Sequence, residues 1–189
     1  MLDKAELKAT LNLPKTAFPM RGAMAQREPE MLKQWEERDI HGKIQEASKG
    51  RPTFVLHDGP PYANGHIHYG HILNKVLKDI VVRYQTMRGR RAIYIPGWDC
   101  HGLPIELQVV RNLGEERAKS LDPLEFRLKC RYYAQKHVDI QREEFKRLGI
   151  FGHWDAPYLT MNKEYEAAIA RELGQFAHKG HLYKGKKPV

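Results

Sequence analysis

Apolar residues recur at helical spacing along one long stretch of the chain. Ile72, Leu73, Val76, Leu77, Ile80 and Val81 share a face of a helix predicted from about Tyr69 to Met87, with Gly89 as its stop. Before it, Thr53-Phe54-Val55-Leu56-His57 is a short β-rich run between Pro52 and Asp58-Gly59-Pro60-Pro61, the pattern of a fully buried parallel strand. After it, Ala92-Ile93-Tyr94-Ile95 predicts a second strand that ends at Pro96-Gly97. Strand, loop, helix and strand in this order form the unit of parallel α/β sheets, so the expected class is α/β.

The flanking segments read as follows. Residues 1 to about 27, with Pro14, Pro19 and Gly22, read as an extended lead-in. Glu28-Pro29-Glu30 opens a helix, because proline fits a first turn and acids suit the positive end of the helix dipole. Met31, Leu32, Trp35 and Ile44 give that helix one apolar stripe, and it ends near Ser48-Lys49-Gly50. Two further helices are expected at about 104–118 and 123–148, the second with Asp122 as cap, Pro123 in its first turn and Gly149 at its end. Residues 150–160 read as a strand or a bend. A last helix runs from about Lys163 to His178, closed by Gly180.

Composition narrows the class. A content of 41% hydrophobic and 10% aromatic residues suits a soluble globular protein. No apolar run approaches the ~20 residues a membrane-spanning helix needs, so no membrane partner is expected. The start, Met1-Leu2-Asp3-Lys4-Ala5-Glu6-Leu7, is charged where a secretory signal would be apolar, and a cytoplasmic location is expected. The two cysteines, Cys100 and Cys130, are too few for a disulfide framework or a zinc module and read as reduced thiols. Cys100 adjoins His101, but sequence neighbours point different ways, so the pair is not read as a nucleophile and its base.

The net charge of +9 favours phosphate-bearing partners, with a solvated basic surface as the plainer alternative. Lys179, Lys184, Lys186 and Lys187 crowd the final residues. The sequence stops at Lys187-Pro188-Val189 without a terminal helix or cap, which reads as an interruption in mid-structure.

The loop between first strand and long helix carries the candidate chemistry. It reads Asp58-Gly59-Pro60-Pro61-Tyr62-Ala63-Asn64-Gly65-His66-Ile67-His68-Tyr69-Gly70-His71. Ligands of open parallel sheets bind at the carboxyl ends of the strands, and a helix N-terminus offers free N–H groups to phosphate. His68 and His71 are three residues apart and point the same way in a first helical turn, while Gly70 leaves the backbone open to close approach. A zinc site built on the histidines, with His66 as a third ligand, would want a cysteine or acid nearby. Asp58 and Asp79 lack metal-site spacing, so ATP is the expected ligand and no metal ligands are assigned.

The pattern His68-Tyr69-Gly70-His71 resembles the H-I-G-H box of the class I aminoacyl-tRNA synthetases, with Tyr69 where an aliphatic residue is usual. Its flanks resemble the isoleucine-specific branch of that family. They are Gly59-Pro60-Pro61-Tyr62-Ala63-Asn64-Gly65, Asn74-Lys75-Val76-Leu77-Lys78-Asp79 and Pro96-Gly97-Trp98-Asp99-Cys100-His101-Gly102-Leu103-Pro104-Ile105-Glu106. Leu13-Pro14-Lys15-Thr16 and Phe18-Pro19-Met20 are similar to its bacterial type, and the likeness runs through nearly the whole chain.

The resemblance implies the first half of a Rossmann-like nucleotide-binding fold. Residues 1–50 would form an N-terminal extension and helix, 51–180 the first half of the catalytic domain, and 181–189 the start of a connective, editing insertion. It implies isoleucine–tRNA ligase chemistry, in which isoleucine is activated by ATP, as its Mg2+ complex, and then transferred to tRNA(Ile). By the same resemblance, Asn64, His68, Gly70 and His71 bind ATP, with His68 and His71 catalytic at its phosphates and Gly70 making room for the adenine. Gly59 and Pro60 line the isoleucine pocket, and Asp99 holds the substrate ammonium. His101 either reaches the adenylate or is structural, and Trp98 and Tyr62 are either site or core. Trp35 and Trp154 read as packing; His137 and His153 are given no role.

The family's second ATP motif, K-M-S-K-S, does not occur in these residues, and any zinc would belong to C-terminal regions outside the sequence. A monomer is expected. Two alternatives fit less well: a nucleotidyltransferase with the same H-x-G-H arrangement, against which Trp98-Asp99 and the Pro60–Gly65 lead-in argue, and a basic RNA-binding module without catalysis, which leaves the His/Gly loop unexplained.

Overall fold

The computed structural model describes residues 3–12 and 22–187. Within the predicted extended lead-in, Asp3 caps a short helix α1 (Lys4–Ala9), accepting from the N–H groups of Ala5 and Glu6; residues 13–21 of that expectation lie outside the described set.

The single helix predicted from Glu28 to about Ser48 is two. Helix α2 (Met24–Glu37) begins earlier, with Pro29 in its second turn rather than its first. Asp39 then adopts a left-handed φ of 47°, its side chain accepts from Gly42 N at 3.1 Å, and α3 (Ile40–Ala47) starts in a new direction.

Strand β1 (Thr53–Val55) pairs in parallel with β2 (Arg91–Ile93), and helix α4 (Tyr69–Met87) joins them. Further along, β3 (Gly97–Trp98) pairs in parallel with β4 (Tyr158–Leu159). The segment 91–99 is the centre of the arrangement. The carbonyls of Tyr94, Pro96 and Trp98 accept from His153, Tyr158 and Thr160 on one side, while Arg91 and Asp99 bond to Pro52, Pro61 and Ala63 on the other. Strands β1 and β2 end two residues short of their predicted C-terminal ends, His57 and Ile95.

Helices α5 (Leu103–Leu113) and α6 (Glu115–Ser120) divide the stretch predicted as one helix, at Gly114 with φ 85°. Helix α7 (Pro123–Arg147) follows with Asp122 accepting from Leu124 N, and α8 (Lys163–His178) ends the described regular structure. No described helix is long and apolar enough to cross a membrane.

The core gathers Tyr94, Trp98, Ile105, Ala134, Val138, Phe145 and Trp154 between the central segment and α7. Two departures from the predicted burial stand out. Val55 on β1 is 67% exposed, so the strand is not buried on both faces as its composition suggested; the two strands of its sheet leave that face without a cover among the described residues. On α4 the apolar stripe faces outward, with Leu73, Leu77 and Ile80 exposed, while Lys75 and Val82 are the buried positions.

Gly97 sits against the Tyr158 ring, which an added Cβ would overlap. Gly97→Ala must therefore push β3 and β4 apart. We expect a loss of about 1–3 kcal/mol in chemical denaturation, the usual cost of overpacking a filled interior.

Candidate functional site

The segment from Asp58 to His71 is held from three directions. Its backbone runs beside the start of the Asp99 loop: Tyr62 and Asp99 form a parallel bridge, with Asp99 N donating to Pro61 O and Ala63 N to Asp99 O, both at 2.8 Å. This pairing brings the histidine-bearing loop and Asp99, predicted from separate motifs, to the same carboxyl end of the sheet.

His68 is the N-cap of α4, and the predicted first-turn geometry of the histidine pair is present. His68 Nδ1 accepts from Gly70 N at 3.1 Å, and the His68 N–H donates to His71 Nδ1 at 3.3 Å. The rings stack with centroids 3.8 Å apart. Because both Nδ1 atoms act as acceptors, each neutral ring carries its proton on Nε2. Neither Nε2 has a partner among the described residues, which leaves two adjacent N–H donors at the positive end of a 19-residue helix.

Gly70 makes room for the His68 ring, since a Cβ there would lie 2.9 Å from Cε1. Burial, followed by the neighbouring His68 and Lys75 charges, holds the His71 imidazole below the usual histidine value. Burial, followed by His153, does the same to His41. The unfolded chain therefore takes up these protons first as pH falls, and stability should drop from pH 7 toward pH 5. Melting temperatures over that range should fall less for a His41→Asn, His71→Asn variant.

Below the loop lies a buried ion cluster. Asp58, fully buried, is bound by Lys75 and, at 2.5 Å, by Lys78. Lys75 also donates to Tyr94 OH at 2.9 Å, Gly97 N to Asp58 Oδ2 at 3.2 Å, and Tyr158 OH to the Asp58 carbonyl. Burial alone would push the Asp58 carboxyl up. The two ammonium groups outweigh it and hold the carboxyl below the ordinary carboxylate value. The same burial draws the Lys75 ammonium down, with the Asp58 carboxylate opposing that shift and the nearby Lys78 charge adding to it.

Burial, followed by the Asp58 charge, raises the Tyr158 phenol to about 12. Asp79 receives Phe151 N at 3.0 Å and Arg83 Nε at 2.6 Å. Both aspartates are thus occupied by protein, and no group of three metal-ligating side chains occurs among the described residues.

Helix α7 holds the loop from the remaining side, a role the sequence did not disclose. Gln141 Nε2 donates to Tyr62 O at 3.1 Å and Gly65 O at 2.9 Å, and its Oε1 accepts from Trp98 Nε1 at 3.0 Å. Glu144 accepts from Ile67 N at 2.9 Å and pairs with His66 Nδ1 at 2.5 Å. His66 is thereby committed to α7, away from the His68–His71 pair. Asn64 donates to Pro104 O at 3.4 Å and accepts from Tyr133 OH at 2.8 Å, so both ends of its amide brace the loop. The one available signal was a glutamine within the apolar stripe Ala134, Val138, Gln141 and Phe145.

Asp99 is half-buried. Its Oδ1 accepts from His101 N at 3.2 Å and Thr160 Oγ1 at 3.4 Å, and its Oδ2 has no partner among the described residues. His101 is more than half exposed, with Nε2 3.3 Å from Thr160 O and 3.4 Å from Glu166 Oε1. Gly59 is exposed with open space beside its Cα, Pro60 is half-buried, Tyr62 is exposed and Trp98 is fully buried in the core. Cys100 is a buried free thiol, raised to about 11, chiefly by burial, which leaves no reactive thiolate. A separate groove of about 620 Å³ between α2–α3 and residues 149–156 shares no residue with this site.

The chain has relatives in sequence and in fold. The model of the family "tRNA synthetases class I (I, L, M and V)" matches residues 30–189. The isoleucine–tRNA ligase of Moorella thermoacetica is 62% identical over 180 residues, covering 95% of this chain and 19% of the relative. That of Geobacter sulfurreducens is 59% identical over 184 residues, covering 97% of this chain and 20% of the relative. The chain thus spans about a fifth of the length of these curated relatives. A crystal structure of Agrobacterium radiobacter LeuRS, in a ternary complex with tRNA and LeuAMS, superposes with a TM-score of 0.63 at 25% identity, over 86% of this chain and 19% of that one. With a family model spanning most of its length and an α/β fold of short parallel strands to match, the chain belongs to the class I tRNA synthetases.

Proposed function

We propose that this chain carries the first half of the site of an isoleucine–tRNA ligase, which activates isoleucine with ATP and transfers it to tRNA(Ile). The observation that supports this most is the Tyr62–Asp99 bridge, which sets two outward imidazoles and a carboxylate with a free oxygen on one sheet edge. The activity for which the relatives are named gives that arrangement its chemistry.

In this reading the isoleucine carboxylate attacks the α-phosphate, the bond to the β-phosphate breaks and pyrophosphate leaves. His68 and His71 donate from Nε2 to phosphate oxygens as charge shifts toward the leaving group, which is positioning and electrostatic work rather than proton transfer. Gly70, by seating the His68 ring, aims that donor, and Asn64 keeps the loop in register. The free Asp99 oxygen takes the substrate ammonium, with Gly59 and Pro60 along the apolar side chain, and His101 lies at the rim toward the adenylate. Magnesium would come with ATP and supply charge neutralisation at its phosphates.

The reading divides the chain at 1–50, 51–180 and 181–189 as the resemblance implied. It also carries a cytoplasmic location and a monomer with it.

The test is isoleucine-dependent ATP–pyrophosphate exchange. A chimera of the Moorella thermoacetica ligase, with this chain in place of the region it matches, should exchange with isoleucine and more weakly with valine, by about 10–200-fold, since one methylene is worth only that much in an apolar pocket. These 189 residues alone should show little or no exchange, because no K-M-S-K-S loop occurs in them. Exchange by the chimera that ignores isoleucine would overturn the proposal.

A further inference from the structure

We propose that Gln141 and Glu144, one turn of α7, are positioning residues that fix the histidine-bearing loop against the Asp99 segment. This rests on the reading of those two segments as the ATP and amino-acid sides of one site.

Gln141 is fully buried, and every polar atom of its amide is used on that junction. Its two donated bonds end on Tyr62 O and Gly65 O, in the loop before the histidines. Its accepted bond comes from Trp98, the residue preceding Asp99. One side chain therefore spans the two segments that must meet across the reacting atoms, and no apolar residue of that size could make the three contacts. A planar amide bonded at both ends also fixes distance and direction together, as a purely packing residue would not.

Three residues on, Glu144 receives Ile67 N, the last backbone donor before the His68 cap, and pairs with His66. The turn of α7 thus sets where the cap begins as well as how the loop lies on the strand. Phe145 completes the support from below, with its ring edge-on to His71 and 6.5 Å from Trp98 between centroids.

Displacements of about 1 Å can cost 10²-fold in rate when the reacting groups are held in line. In the Moorella chimera, Gln141→Met should lower kcat of pyrophosphate exchange by about 30–100-fold per active site. The sites are counted by the burst of isoleucyl-adenylate, and KM for isoleucine and ATP should change by less than about threefold. Glu144→Gln keeps an acceptor for Ile67 N but weakens the His66 pair. Being partly exposed it should not impair folding, and its kcat should fall by about 3–10-fold.

A merely structural role predicts another pattern: fewer active sites or a lower melting temperature, with unchanged kcat for the sites that remain. That result in both variants overturns the inference. Absence of isoleucine-dependent exchange in the unsubstituted chimera would instead overturn the functional reading beneath it.

Discussion

Lys75→Met is expected to destabilise the chain by about 3–5 kcal/mol, a large share of the 5–15 kcal/mol typical of a folded domain. The reason is the charge left behind. Asp58 is fully buried, and Lys75, with a side chain 3% exposed, is its closest cation. Removing the ammonium strands a carboxylate that Gly97 N and Lys78 only partly satisfy, and also takes the donor from Tyr94 OH. Adding Asp58→Asn to Lys75→Met should recover part of the loss, because the buried carboxylate is then gone and the remaining Lys78 ammonium, on a side chain 17% exposed, can still reach water. Asp58 is held below its ordinary value, so the pair's contribution is present at neutral pH and disappears as acidification protonates the carboxylate. Equilibrium denaturation of the single and double variants measures this; a loss below about 1 kcal/mol for Lys75→Met would show the cluster to be energetically idle.

Asp99→Asn should weaken isoleucine recognition by about 10²-fold, measured as kcat/KM for isoleucine in the chimera, with KM for ATP changed by less than about threefold. The substitution is nearly isosteric and keeps an oxygen to accept from His101 N and Thr160, so the local fold should survive. What it removes is the negative charge at Oδ2. A half-buried carboxylate facing an ammonium is worth about 2–5 kcal/mol when one partner is lost, and each 1.4 kcal/mol is tenfold. An equal loss for ATP and isoleucine would mean that Asp99 shapes the loop rather than gripping the amino acid.

Local signals account for much of what the sequence disclosed. Helices α4 and α8 fall where Tyr69–Met87 and Lys163–His178 predicted them, because the glycine stops Gly89 and Gly180 lie within two residues of their ends. The histidine pair at the start of α4 was legible for the same reason, since cap geometry is a property of four consecutive residues. The parallel pairing of β1 with β2 followed from the strand–helix–strand order.

Long-range contacts were not legible. Asp58 meets Lys75 across the fold, and Gln141 reaches Tyr62 and Gly65 more than seventy residues away; no local periodicity encodes either. Apolar spacing on α4 marked a face without saying which way it turns, and the packed side proved to be the one with Lys75 and Val82. The left-handed Asp39 that divides α2 from α3 was hidden because aspartate also suits a helix surface or a cap.

The central claim is geometric: one sheet edge presents the triphosphate to His68 and His71 and the amino acid to Asp99. A crystal structure of the chimera with isoleucine and an ATP analogue that cannot be cleaved between the α- and β-phosphates tests it most directly. Phosphate oxygens should lie within about 3 Å of both Nε2 atoms, and the isoleucine ammonium at a similar distance from Asp99 Oδ2, as hydrogen bonds require. A triphosphate bound away from the histidines, or an ammonium held by another carboxylate, would contradict it.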